Sequence, residues 1–137
     1  MGDELEVEEL SPEECERLLK AEILGRIAIV ADAKPQIFPV NYAFDEGVVV
    51  FRTSPGWKLE HAPLAHVAFE IDHFDEQGGE AWSVMVQGNA RQITEAIDPL
   101  SERLRRLTIS PAAPGIRTEW LAVYATGITG RRFKLTR

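Results

Sequence analysis

Hydrophobic and polar positions along the chain follow two rhythms, and the change between them falls near Gly25. Before it, Cys15, Leu18 and Leu19 lie at helical spacing. Ser11 is placed to cap, Pro12 suits the first helical position, and Glu14 completes a capping box, so a helix is predicted from Ser11, with Gly25 placed to end it. From Arg26 onward the chain is rich in Ile, Val, Phe and Tyr between turn residues, which predicts a run of strands. These are Arg26–Ala31, Gln36–Phe44, Val48–Arg52, His66–Asp72, Ala81–Ile93, Trp120–Tyr124 and Ile128–Leu135. Pro39 inside the second strand implies an edge, a bulge or an N–H side without a partner. Asp45-Glu46-Gly47 reads as a hairpin turn, Gly78-Gly79 as part of a loop, and Gly88 as a bulge or barrel corner. A short helix is predicted from about Trp57 to Pro63 and another over Ile97–Leu107, followed by a loop over Ser110–Gly115.

Seven antiparallel strands with two to three peripheral helices predict a mainly β fold, a small closed or partly split barrel. The lack of regular strand–helix alternation argues against a doubly wound nucleotide-binding sheet. Residues 1–10 hold five acids and no turn chemistry, so they are expected to form a flexible acidic lead-in to one domain over residues 11–137.

Composition narrows the function. The 137 residues carry 22 acidic and 15 basic side chains, a net charge of -7 that repels polyanions, so nucleic acid is not an expected partner. A single cysteine, Cys15, excludes an intramolecular disulfide framework and fits a reducing compartment. Apolar runs are too short to span a bilayer as helices, and the acidic start does not resemble a secretory signal, so a soluble cytoplasmic protein with no membrane partner is expected. His61, His66 and His73 lack a recognised zinc spacing, so no metal is expected. G-x-G-x-x-G, the P-loop pattern and G-x-S-x-G are all missing.

Chemistry concentrates in Phe51-Arg52-Thr53-Ser54-Pro55-Gly56-Trp57-Lys58-Leu59. A phosphomonoester needs cations, hydroxyl donors and backbone N–H groups around a small concavity, and this stretch supplies all three. Solvated charges flanking a turn would leave the same local pattern in Arg52 and Lys58.

Taken with Leu24-Gly25-Arg26-Ile27-Ala28, Pro39-Val40-Asn41-Tyr42, Val67 to Asp72, Trp82-Ser83-Val84, Gly88 and Thr129-Gly130-Arg131-Arg132, the stretch resembles the FMN-binding split-barrel superfamily. The match is to its small pyridoxamine 5′-phosphate oxidase-like and nitroimidazole-reductase-like members, and it runs from Leu18 to Phe133. The resemblance implies an antiparallel Greek-key split barrel that binds FMN at the interface of a homodimer. It places Pro39, Val40, Asn41 and Tyr42 along the isoalloxazine, and Arg52, Thr53, Ser54, Lys58 and Trp57 around the phosphate. Trp82 and Ser83 fall near the flavin or the subunit contact. The residues by themselves leave alternatives: Trp82 as core, Tyr42 as barrel wall, Asn41 as the partner of a bulge, and Arg131 and Arg132 as edge protection.

The expected activity is that of an oxidoreductase passing electrons from a reduced nicotinamide to a small organic substrate. No side chain stands out as a catalytic acid or base, because the flavin carries the hydride chemistry. True pyridoxamine phosphate oxidases are longer and carry a basic C-terminal constellation that Arg131 to Arg137 does not reproduce, so vitamin B6 oxidation is not expected. Alternatives are a deazaflavin-dependent reductase, whose anionic tail would use Arg131 and Arg132, and a non-catalytic module that stores or senses a flavin or a haem. FAD is a further cofactor alternative.

Overall fold

The computed structural model describes residues 4–63, 65–109 and 118–136, with the side chains of residues 4, 57, 59 and 136 outside that description. In chain order the elements are β1 (Glu4–Glu9), α1 (Pro12–Ala21), β2 (Leu24–Ala31), β3 (Lys34–Asp45) and β4 (Val48–Thr53), then α2 (Trp57–His61), β5 (His66–Asp75), β6 (Glu80–Gln92), α3 (Pro99–Leu104) and β7 (Glu119–Thr136). The expected loop over Ser110–Gly115 lies outside the described residues.

Strand alternation explains the barrel. Along β2, β3, β5 and β6 every second side chain is buried, as in Ile27 and Ile29, Val40, Tyr42 and Phe44, or Val84 and Val86. The sheet order is β1-β7-β4-β3-β2-β5-β6, all antiparallel, and a β6–β7 pairing closes it. β5 leaves its sequence neighbour β4 and pairs with β2 on the far side, a Greek-key crossover carried by α2. The fold is therefore the mainly β split barrel that the strand pattern predicted.

Four details differ from expectation. Residues 4–9 pair with β7 along their whole length, with Leu5 opposite Leu135, Val7 opposite Phe133, Glu6 opposite Lys134 and Glu8 opposite Arg132. Matched apolar and oppositely charged cross-strand pairs thus hold a segment read as a loose lead-in. The two closing strands are one, β7, with a register shift at Gln87/Gly88 where Thr126 is the extra residue. Helix α1 ends at Ala21 with Glu22 as its C-cap, and Gly25 sits inside β2, where a Cβ would overlap the Phe69 ring. Helix α3 is shorter than its apolar period, beginning after Asp98, whose carboxylate accepts from the Ser101 N–H at 2.9 Å and the Ser101 hydroxyl at 2.7 Å.

Two apolar clusters result. The larger fills the barrel beneath Cys15, Leu18 and Leu19 of α1, and the smaller, Val48, Val50, Ile93, Leu104 and Ala122, lies between β4, β7 and α3. Both faces of β4 are therefore buried until the strand reaches Arg52.

Candidate functional site

β3 and β4 part company at one point. Their pairing runs from Asp45↔Val48 to Tyr42↔Phe51 and stops; β4 continues through Arg52 and Thr53 beside β7 alone, and β3 from Lys34 to Asn41 beside β2 alone. This split leaves one edge of β3 without a strand partner among the described residues. An uncovered edge presents backbone N–H and C=O groups that must find another partner or water. Pro39 sits within it and supplies no N–H, which satisfies the edge condition its sequence implied.

The loop after β4 and α2 lie next to that edge. Lys58, half-buried on α2, holds its Nζ 5.1 Å from the centroid of the Phe38 ring on β3. The contact joins the cationic loop to the residue just before Pro39. Ser54 is exposed, and nothing lies within 4 Å of where a Cβ on Gly56 would be. Thr53 is buried at 1% exposure and donates its hydroxyl to the Ser54 carbonyl at 3.1 Å, which stiffens the start of the loop. Helix α2 has five residues and no side-chain cap, so its dipole adds little to an anion site. The Trp57 side chain lies outside the described residues.

Alternation sorts the other expected residues. Phe51 and Thr53 point into the barrel and Arg52 away from it, so the Arg52 guanidinium reaches over the Trp120 ring, 5.1 Å from its centroid, on the side of β4 opposite Thr53. Arg52 does not converge on Lys58. Val40 and Tyr42 are core residues. Tyr42 is 2% exposed, packs edge-on against Phe69 at 4.7 Å and donates its hydroxyl to the Leu19 carbonyl at 2.7 Å. Burial pushes its phenol well above the ordinary tyrosine range, away from any role as an acid near neutral pH, so Tyr42 is the barrel-wall residue that its sequence also allowed. Tyr42→Phe is expected to lower the unfolding free energy by about 1 to 2 kcal/mol, because it strips a buried carbonyl of its donor. An unchanged denaturant midpoint would mean that this bond contributes nothing.

Pro39 and Asn41 remain on the outer face, with Arg26 opposite Pro39 and Leu24 opposite Asn41. Arg26 donates to Glu70 at 2.7 and 3.1 Å and lies 2.9 Å from Asp72. Burial, followed by the neighbouring Asp72, raises the Glu70 carboxyl above its ordinary range. Nothing in the local sequence marked this trio, since its members come together only through β2–β5 pairing. Trp82 faces the barrel side, half-buried beside His73 with ring centroids 6.2 Å apart, whereas Ser83 lies on the outer face opposite Asp72 and Arg131. Trp82 and Ser83 therefore do not share one surface.

Arg132 is spoken for. It lies 3.0 Å from Glu14, 2.9 Å from Glu80 and 3.8 Å from Glu8, tying β7 to α1, β6 and β1. The guanidinium of Arg17, and then that of Arg132, hold the Glu14 carboxyl down to about 2. A groove along β1 and the end of β7, lined by Glu6, Val7, Glu8, Arg132 and Lys134, contains these paired charges and shares no residue with the β3–β4 split. Among the described residues no group of three His, Cys, Asp or Glu side chains is arranged to hold a metal, and no helix is long and apolar enough to cross a membrane.

The split thus offers a cation, a hydroxyl-bearing loop and an uncovered strand edge within one region. Such a set suits a planar, hydrogen-bonding ligand that carries a phosphate.

Comparison with known proteins bears on that set. The family model described as pyridoxamine 5′-phosphate oxidase matches residues 11–132. The FAD binding protein from Mycobacterium smegmatis is 38% identical, with a TM-score of 0.77 over 92% of this chain and 97% of that one. An FAD-binding protein from Mesorhizobium loti is 25% identical, also with a TM-score of 0.77, over 96% and 99% of the two chains. An uncharacterized protein from Mycobacterium tuberculosis is 34% identical over 96 residues, 66% of this chain and 63% of that relative, so the match spans less than two thirds of the relative's length.

Proposed function

Because the chain belongs to the pyridoxamine 5′-phosphate oxidase-like family, we propose that it binds a flavin nucleotide in the split between β3 and β4 and uses it as an oxidoreductase. The observation that carries this reading is the placement of Lys58 over Phe38, beside the strand edge that β4 leaves uncovered. A phosphate anchor and a line of backbone hydrogen-bonding groups lie side by side there, as the two ends of a flavin mononucleotide require. Lys58 and Ser54 bind the phosphate shared by FMN and FAD, the backbone of β3 between Ile37 and Asn41 lies along the ring, and Asn41 faces it. Thr53 acts through the loop, by holding the Ser54 carbonyl. The names of the Mycobacterium smegmatis and Mesorhizobium loti proteins support a flavin.

When bound, a flavin supplies hydride and electron transfer between a reduced nicotinamide and a small organic acceptor. The protein's share is to bind, orient and exclude water. Engagement of Arg132 by three carboxylates removes one cation from the anionic tail of a deazaflavin and from a pyridoxamine phosphate alike. These pairings favour a nicotinamide-fed reductase for a substrate without its own phosphate, the activity proposed here. Anaerobic addition of NADH or NADPH to the flavin-loaded protein is expected to bleach the flavin absorption, and a flavin that stays oxidised with both would reject the oxidoreductase part.

The protein is further proposed to work as a homodimer. Leu5, Val7, Leu24, Val30, Ile37, Phe74, Met85 and Leu135 are exposed, at 37 to 68%, and strand register places them on one outer face of the sheet. Exposed apolar side chains next to the split, interspersed with the paired charges of Arg26, Glu70 and Asp72, suit burial against a second copy of this chain. Light scattering is expected to give twice the 15.3 kDa chain mass, and a monomer that still binds flavin would contradict this part.

A further inference from the structure

Two charges on the outer face of the sheet lack a balanced partner within the chain. Arg131 on β7 is exposed and makes no ion pair among the described residues, although Glu9 lies opposite it on β1. On β5, Asp72 is 53% exposed and shares the Arg26 guanidinium with Glu70. Strand register puts both in one row, with Arg131 opposite Ser83 and Ser83 opposite Asp72. At about 4.8 Å per strand they stand roughly 10 Å apart, with Ser83 midway. The rows on either side have the same form: Phe133 and Phe74 flank Ala81, and Thr129 and Glu70 flank Met85.

A barrel wall is convex, so it meets a second copy along one strand and its two neighbours. In a twofold dimer the residues on the axis face themselves, and a charged axial strand repels its own copy. On this face β7, β6, β5 and β2 are flanked on both sides. Three of them present charge there: β7 through Arg131, β5 through Glu70 and Asp72, and β2 through Arg26. From Ala81 to Gln87, β6 presents Ala81, Ser83, Met85 and Gln87, none of them charged. An axis along β6 keeps each row in place and exchanges its two sides. Arg131 then lies over Asp72 of the other copy, Phe133 over Phe74 and Thr129 over Glu70, each pair matched in chemistry. Packed sheets lie about 10 Å apart, a gap that an extended arginine side chain crosses to a carboxylate.

We infer that β6 is the axial strand of the homodimer and that Arg131 of each copy pairs with Asp72 of the other. The inference rests on the homodimer reading above. It gives Arg131 a role other than the edge protection that its sequence allowed, and it leaves Arg26 to Glu70, so the two acids no longer share one cation.

The test is a charge exchange split between chains, read by sedimentation equilibrium of the full chain. Arg131→Glu and Asp72→Arg are each expected to dimerise at least about tenfold more weakly than the wild type, because like charges then face each other twice. An equimolar mixture of the two variants is expected to recover a dimer of wild-type strength, since both contacts in the mixed dimer again join opposite charges. An interaction within one chain would not be restored by mixing. Arg131→Ala, a milder change at an exposed position, is expected to weaken the dimer as well. Wild-type association in Arg131→Ala or Arg131→Glu, or a mixture no stronger than its components, would overturn the pairing while leaving the dimer reading standing. A monomeric wild type would overturn both.

Discussion

Lys58→Ala is expected to weaken flavin binding by about 1.5 to 3 kcal/mol, roughly a tenfold to hundredfold loss, with the fold intact. The magnitude follows from chemistry and position together. A phosphate held by an ammonium makes a charge-assisted hydrogen bond, and a half-buried ammonium is less screened by water than a surface one. The Phe38 ring beneath Nζ attracts the ammonium and limits where the side chain can point. The stem of Lys58 contributes little to the core, so the denaturant midpoint of the variant is expected within about 0.5 kcal/mol of the wild type. Isothermal titration with FMN and FAD reads the affinity. Because the phosphate nearest the ring is common to both, the two losses are expected to be equal. Wild-type affinity in this variant would remove Lys58 from the site.

Gly88→Ala is expected to cost about 3 kcal/mol of stability, the upper range for overpacking a filled site. A Cβ there would overlap the Tyr124 carbonyl oxygen and stand 2.8 Å from the carbonyl carbon. Backbone cannot swing aside as a flexible side chain can, and the clash falls at the register shift where β6 and β7 close the barrel. Gly127, one step along the same junction, is the control: nothing lies within 4 Å of a Cβ built on it, so Gly127→Ala is expected to change stability by about 0.5 kcal/mol or less. Denaturant unfolding of both variants at matched m-values makes the comparison. Equal midpoints for the two would show that β6 and β7 do not approach as closely as the structure has them.

Where sequence and structure agree, the information is local. Alternating apolar residues in β2, β3, β5 and β6 carry their own period, Asp45-Glu46-Gly47 carries its own turn, and Ser11 carries its own cap, accepting from the Glu14 N–H at 3.2 Å. What was missed depends on pairing between distant segments. The acids of β1 read as solvated until Arg131, Arg132 and Lys134 lie opposite them. Gly25 read as a helix end because its reason, the Phe69 ring, comes from β5.

The phosphate stretch shows the same division. Its residue types announced an anion, but which of them face one another depends on strand parity at the end of β4. Phe51 fills the barrel, so Thr53 turns inward and Arg52 outward to Trp120, while Lys58 meets Phe38 across the split. A nine-residue window treated as one cradle is thus two surfaces back to back. Tyr42 was caught between its roles for a related reason. Its hydroxyl partner, the Leu19 carbonyl, lies on a helix 23 residues earlier.

The central claim is that the split between β3 and β4 holds a flavin, and a fluorescence titration of flavin into the flavin-free protein tests it most directly. Saturable quenching at one flavin per chain, abolished or strongly weakened in Lys58→Ala, is the result expected. Flavin fluorescence that stays linear with added FMN and with added FAD, in protein shown to be folded, would contradict it.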